Sequence, residues 1–354
     1  MNEALTAAAS DSLPAPPGRR WMSKQSAALG SKTIAQVCLP GTHDSATRGL
    51  SRAASQDDCG IVLLRMPGWI RGAAMACLWP VLRVWSVTQP LPVAEQLALG
   101  VRYLDLRASC DDGGDARAAH GTMGVALEQV FREVAAFLAD ERTGAAEVVV
   151  LDVNHMYGFE SADYETLVAL VLRALGPFIV REDAALLPLA ELLASPRMQE
   201  DQEGAGPRCI VCLSDEGKGS CAEHVSRCEW LCHSDRMVRN PWPNVPTAQA
   251  LKERLDGVHA ENASASTLHV TQLVLTIGGG EIARGAACCC LCGGVGPPSN
   301  IKQLDAAVTE AAPGWLREWR GRGHALNVVL MDWVDGQDEG SLRMLNEIVG
   351  INEV

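Results

Sequence analysis

The sequence predicts an α/β fold, most economically a single parallel barrel, and three observations carry that prediction. Apolar runs of strand length alternate with helical patterns over most of the chain. The clearest run, EVVVLDVNH at 147–155, is almost continuously apolar, as strands covered on both faces are. Polar residues recur at the C-terminal ends of these runs, the side on which an α/β barrel opens its catalytic face. No internal repeat is visible in the sequence.

The elements follow in order. Residues 1–20 read as a short disordered leader, and 21–354 as one barrel domain. KTIAQVCL at 32–39 predicts the first strand. An apolar insertion at 59–86 comes next, then a short helix at 92–100 stopped by Gly100. VRYLDLRAS at 101–109 predicts a strand, and 124–141 has apolar residues at helical spacing. Further strands are expected at 147–155, 207–215, 266–276 and 325–334. IKQLDAAVTEAAPGWLREW, before the last of them, reads as a helix, and a Cys-rich loop falls at 285–297.

Composition narrows the function. A chain of 354 residues that is 47% hydrophobic can bury a large core, and 21% charged residues exclude wholesale disorder. A net charge of −13 excludes a nucleic-acid binder, which needs basic surface. It also disfavours gross adhesion to anionic membranes, while leaving room for a local basic patch. The 13 cysteines include Cys38, Cys209 and Cys212 in expected strands, where cysteine packs as a small apolar residue. They suggest a reduced cytoplasmic chain. The N-terminus carries an early acid and no apolar stretch, unlike a secretory signal. No obligate protein partner is evident.

The candidate site comes from placing polar residues on this scheme. His43 and Asp44, Asp105 and Arg107, Asp152 and Asn154, Asp215, and Asp332 each fall at the end of an expected strand. Taken singly, such residues are more often caps or turn formers. Asp44-Ser45 could cap a helix, His120 could sit in an ordinary turn, and Asp332 could be a loop carboxylate. Their coincidence on one barrel face is what points to a polar site, because unpaired burial would cost several kcal/mol each.

The motifs LPGTHDS, TQPLPVAEQLALGVRYLDLRAS, HGTMG, VVVLDVNHMYGF, PWPN and NVVLMDWV, in this order, resemble the X-domain of phosphatidylinositol-specific phospholipase C. The likeness spans roughly residues 20–350 and is to the single-domain group. It implies a distorted TIM (β/α)8 barrel and a phospholipid substrate at a membrane surface. By the same resemblance His43 would be the general base and His120 the general acid. Asp332 would orient His43, and Asp44 would support the acid side. Asp105, Asp152, Asn154 and Asp215 would contact the head group. The products would be diacylglycerol and an inositol cyclic phosphate.

Calcium-dependent relatives carry two acids in the segment matching YLDLR. Here the first is Asp105, but Arg107 stands at the second position, and Asn154 stands where they have a glutamate. A guanidinium repels a cation and can itself neutralise phosphoryl oxygens. The expectation is therefore an enzyme with no metal or other cofactor, Ca²⁺ being disfavoured by Arg107. Alternatives left open are a phosphodiesterase for another head group or for glycosylphosphatidylinositol anchors, and a catalytically silent lipid-binding barrel.

Two segments have no family explanation. In 59–85, Arg65, Pro67, Arg71 and Pro80 interrupt the apolar run too often for a spanning helix. Its Trp69, Trp79 and Trp85, with three arginines, suit a membrane interface, while a core-packed helical insertion is the plainer reading. In ACCCLCGG, Cys288–Cys290 and Cys292 crowd too closely to share one tetrahedral zinc readily. S-acylation or a mobile loop are the other readings.

Overall fold

The computed structural model describes residues 13–198, 206–214, 219–261, 266–278, 280, 282 and 298–353. Asp215, Lys218, the Cys-rich loop and residues 1–12 lie outside the described residues. Among them the strands are β1 (Leu39–Thr42), β2 (Tyr103–Cys110), β3 (Ala116–His120), β4 (Thr122–Ala126), β5 (Val149–Tyr157), β6 (Cys209–Leu213), β7 (Cys232–His233), β8 (Val238–Arg239), β9 (Leu268–Leu273) and β10 (Val328–Met331). The ladder runs β7-β6-β5-β2-β1-β10-β9-β8 and every pair along it is parallel. First and last strands thus meet as β1 and β10, the closure a (β/α)8 barrel requires. Between β7 and β8 no ladder forms among the described residues; the short helix Ser234–Met237 spans that seam. A curled, incompletely closed barrel results, as the sequence predicted.

Residues of one parity point inward. Tyr103, Val150, Ile210, Val270, Val328 and Leu330 fill the barrel interior, with Trp21 and Met22 in the same cluster. Their neighbours Leu104, Leu151, Val153, Val211 and Val329 face the surrounding helices. Each helix turns an apolar stripe to them; Leu127, Val130, Phe131, Val134, Phe137 and Leu138 of the helix Leu127–Ala139 are buried. Arg102 is wholly buried and donates to Glu147 Oε2 at 3.0 and 2.7 Å, to two carbonyls of the preceding turn, and to the Arg19 carbonyl. This pair fixes the approach to β2 and β5 and ties the N-terminal segment to it.

Three expectations shift. The first strand is not 32–39: Thr33 and Gln36 form a capping box around a 3-10 turn at Ile34–Gln36, and the strand is LPGT at 39–42. Gly41 suits the close packing there, since an added Cβ would lie 3.0 Å from Val328 and 3.2 Å from Tyr103, side chains that would have to give way. Residues 13–20 are not loose, because Gly18 N donates to the Leu99 carbonyl and Arg19 pairs with Asp140 at 3.1 Å. The insertion forms two helices, Gly60–Leu64 and Gly68–Ser86, and in the longer one only Met75 and Trp85 are buried. Most of it is therefore exposed, while Trp85 and Val81 at its C-terminal end pack against the helix-side core. No described helix is long and apolar enough to cross a membrane.

Candidate active site

His43 follows β1 directly, and its amide donates to the Met331 carbonyl of β10, so the β1–β10 seam places it. Its Nδ1 lies 2.8 Å from Asp332 Oδ1, at the end of β10. A proton on Nδ1 therefore leaves the Nε2 lone pair facing inward, where Arg107 Nη2 sits 3.2 Å away. Asp44 takes a left-handed backbone, φ 43°, which turns its carboxylate back under His43. Thr88 and Gln89 clamp this corner. The Thr88 hydroxyl donates to the His43 carbonyl, and Gln89 Nε2 donates to the carbonyls of His43 and Met331. The TQ pair flagged as a motif is thus the fastening of the His43 and Asp332 loops.

Asp44 is the hub. Its buried carboxylate lies 2.9 Å from Arg107 Nε, 3.3 Å from His43 Nε2 and 3.6 Å from His120 Nδ1. None of these contacts is an aligned hydrogen bond, so they act through charge. Burial raises the Asp44 pKa, but Arg107, His43, His120 and His155 together outweigh it and hold the pKa below the usual range. Asp105 is raised, by burial first and by the Asp44 charge second. It accepts from the Asp44 amide and from Asn154 Nδ2.

His120 ends β3, the first strand of an antiparallel hairpin built onto β2. Asp111 makes this weak-looking segment possible by accepting from the Gly113 and Asp115 amides and from Arg117. The His120 Nδ1–H donates to the Ser86 carbonyl at 2.8 Å, the last residue of the helix Gly68–Ser86. Its Nε2 is then left to carry a transferable proton. The two imidazole centroids are 6.3 Å apart.

The other expectations divide. Asp152 is fully buried and accepts from Tyr103 and Ser234, each at 2.6 Å, so it braces the barrel interior below the mouth. Asn154 keeps a buried Oδ1 with no hydrogen-bond partner, an acceptor open to a hydroxyl. Two residues were missed. Val153 pairs with Leu106 but His155 pairs with Arg107, so Asn154 is the extra residue of a bulge on β5. The bulge reverses the strand's alternation and sets His155 beside Arg107. Trp242 lies over the Arg107 guanidinium at 5.6 Å and against the His43 ring at 5.3 Å. Its motif, PWPN, was visible, but no rule of spacing brings it to His43.

A cation site fits poorly here. His43, Asp44 and Asp105 place ligand atoms within 4.8 Å of one another. Arg107, however, already sits on Asp44 and His43, and the Asp105 carboxyl is pushed towards its neutral form. Calcium needs six to eight oxygens, and these residues do not fit it.

His43 carries a measurable consequence. Burial lowers its pKa, Asp44 and Asp332 raise it more strongly, Arg107 opposes them, and the net is a value pushed up to about 9. A base acts only when neutral, so if His43 serves as one, kcat/KM climbs with pH towards about 9. A pH–rate profile checks this, and a limb at the ordinary histidine value of about 6.5 would contradict it. The raised value also stabilises the fold below about 6.5 and loses that contribution as pH rises through about 9.

No family model matches the chain. It is 26% identical over 324 residues to "PI-PLC X domain-containing protein 2" of Mus musculus, covering 89% of this chain and 83% of that one. Over most of its length the chain is similar to the PI-PLC X-domain proteins. It is also 29% identical over 272 residues to "Variant-surface-glycoprotein phospholipase C" of Trypanosoma cruzi, 72% of this chain and 66% of that one. The phosphatidylinositol-specific phospholipase C of Listeria monocytogenes shares the fold of this chain. It superposes at TM-score 0.60 with 13% identity, over 94% of this chain and 98% of its own.

Proposed function

We propose that this protein is a phospholipase C-type phosphodiesterase that cleaves phosphatidylinositol or a close relative of it without a metal ion. The observation that carries the reading is the pair of imidazoles 6.3 Å apart that both face the Asp44 carboxylate, with Arg107 on Asp44 and His43. In the free site Arg107 covers His43 Nε2. A phosphodiester anion is the stronger acceptor, so its arrival draws the guanidinium onto the phosphoryl oxygens and uncovers the base. His43 Nε2 then takes the proton of the inositol 2-hydroxyl, whose oxygen attacks phosphorus. Asp332 stabilises the imidazolium formed. The phosphorus–glycerol oxygen bond breaks, and His120 Nε2 delivers its proton to that oxygen. Diacylglycerol and inositol 1,2-cyclic phosphate leave. Incubation with a lipid panel, including a glycosylphosphatidylinositol-anchored protein, with and without chelator, tests this. A cyclic inositol phosphate formed in chelator is the expected product. Absence of any soluble phosphate ester would favour the silent barrel.

The same rim supports peripheral attachment to a bilayer. Val62, Trp69, Ile70, Leu78 and Val84 of the two inserted helices are exposed, Trp69 at 80%. Between Asp58 and Glu95 the only charges are Arg65, Arg71 and Arg83. Apolar and aromatic side chains with arginines suit the interfacial layer. The helix ends on His120, so docking would bring lipid to the mouth. The eight described cysteines are unpaired, in keeping with a cytoplasmic setting. Trp69→Ala is expected to weaken vesicle binding roughly tenfold, the loss of one inserted aromatic. Turnover of a monomeric short-chain substrate should stay unchanged. Equal vesicle sedimentation by both proteins would remove the helix from the interface.

A further inference from the structure

A second cleft, of about 390 Å³, lies beside the catalytic corner. Arg48, on the turn after Asp44, and Arg83, in the last turn of the helix Gly68–Ser86, both line it. Both side chains are exposed, and among the described residues neither has an ion pair or side-chain hydrogen bond. Two unpartnered guanidiniums thus line one cleft of a chain whose net charge is −13. The one acid in the cleft, Glu133, is engaged by the Ala94 amide and by Gln129. Much of the remaining lining is apolar, with Leu91 and Val125. None of His43, Asp44, Arg107, His120 or Asp332 lines the cleft, so it is separate from the reaction centre.

We propose that this cleft binds the phosphate of an intact anionic phospholipid that is not the one cleaved. A guanidinium matches phosphate oxygens in fork geometry, and this cleft is lined by two. The apolar wall, and exposed Val84 beside Arg83, match the glycerol and upper acyl region of a lipid rather than a free phosphate. The barrel would then sit on a bilayer through the apolar helices and be held by a second head group next to the substrate. This rests on the lipid-facing reading of that rim.

Binding to vesicles without phosphatidylinositol tests the cleft independently of catalysis. Wild-type protein and Arg48→Gln/Arg83→Gln are compared by flotation with phosphatidylcholine vesicles, with and without phosphatidylglycerol. The wild type should prefer the anionic vesicles. The double variant should lose roughly thirtyfold on them, at about 1 kcal/mol per arginine, and nothing on phosphatidylcholine. Thermal unfolding should be unchanged, as should turnover of a monomeric substrate. Arg227→Gln/Arg317→Gln removes the same charge from exposed positions elsewhere. Equal loss in that control would reduce the effect to net charge and overturn the site. Tight calorimetric binding of glycerol 3-phosphate without a vesicle preference would overturn the lipid assignment. Trp69→Ala should weaken binding to both vesicle types, so failure of the helix and failure of the cleft are read apart.

Discussion

His43→Ala is expected to lower kcat by roughly 10²–10⁴-fold while the barrel stays folded. The substitution removes the ring whose Nε2 faces Arg107 and whose Nδ1 is held by Asp332. It also strips a cation from between two buried carboxylates, Asp44 and Asp332. Circular dichroism and thermal unfolding must therefore accompany the kinetics. His120→Ala should lower turnover of natural lipid comparably, but lose little on a substrate with a nitrophenol leaving group. A good leaving group needs no proton, whereas the attacking hydroxyl always needs a base. His43→Ala should stay slow on both substrates. Near-normal turnover by folded His43→Ala, or equal rescue of both variants by the activated substrate, would overturn the division of roles.

The legible part of this protein was the part written in local pattern. Continuous apolar runs marked β5, β6 and β10 because a barrel strand is covered on both faces. His43, Asp44, Arg107 and Asp332 were singled out because polar groups recur at the expected strand ends, and His120 through the HGTMG resemblance; the barrel brings the five side chains together. Asp152 was read as mouth-facing by the same rule, yet it lies a layer deeper, where Tyr103 and Ser234 satisfy it. Strand-end position alone does not fix depth. His155 escaped because alternation from Val153 sends it outward, and only the bulge at Asn154, a property of the β2–β5 pairing, turns it in. Trp242 reaches His43 across the open seam, a contact between segments about 200 residues apart that no window shows. The first strand was misplaced because Pro40-Gly41 looks like a turn. The barrel accepts it as strand, paired with β10 and β2, with glycine suiting the close packing against Val328 and Tyr103.

Arg107 gives the prediction that separates metal-free from calcium-dependent catalysis. Wild-type activity should survive EGTA. Arg107→Asp should lose roughly 10²–10³-fold without metal, the scale of removing one transition-state donor in a shielded site. The geometry argues for a loss at the upper end. Arg107 is the first-ranked influence holding the Asp44 pKa down against burial, and it also faces Asp105. An aspartate there would add a third carboxylate to a buried pair, and the phosphoryl oxygens would meet negative charge. Arg107→Leu removes the cation without adding an anion. It should be impaired but less so, and the difference between the two variants measures the added repulsion. Calcium should partly restore Arg107→Asp alone, because Asp44, Asp105 and the new carboxylate would then surround the place the guanidinium held. Restoration should be smaller than the loss, since Asn154 supplies a neutral oxygen and its amide is already given to Asp105. If EGTA abolishes wild-type turnover and calcium returns it, Arg107 must leave Asp44 in the working enzyme, and the ion pair at 2.9 Å would be a resting arrangement rather than the catalytic one.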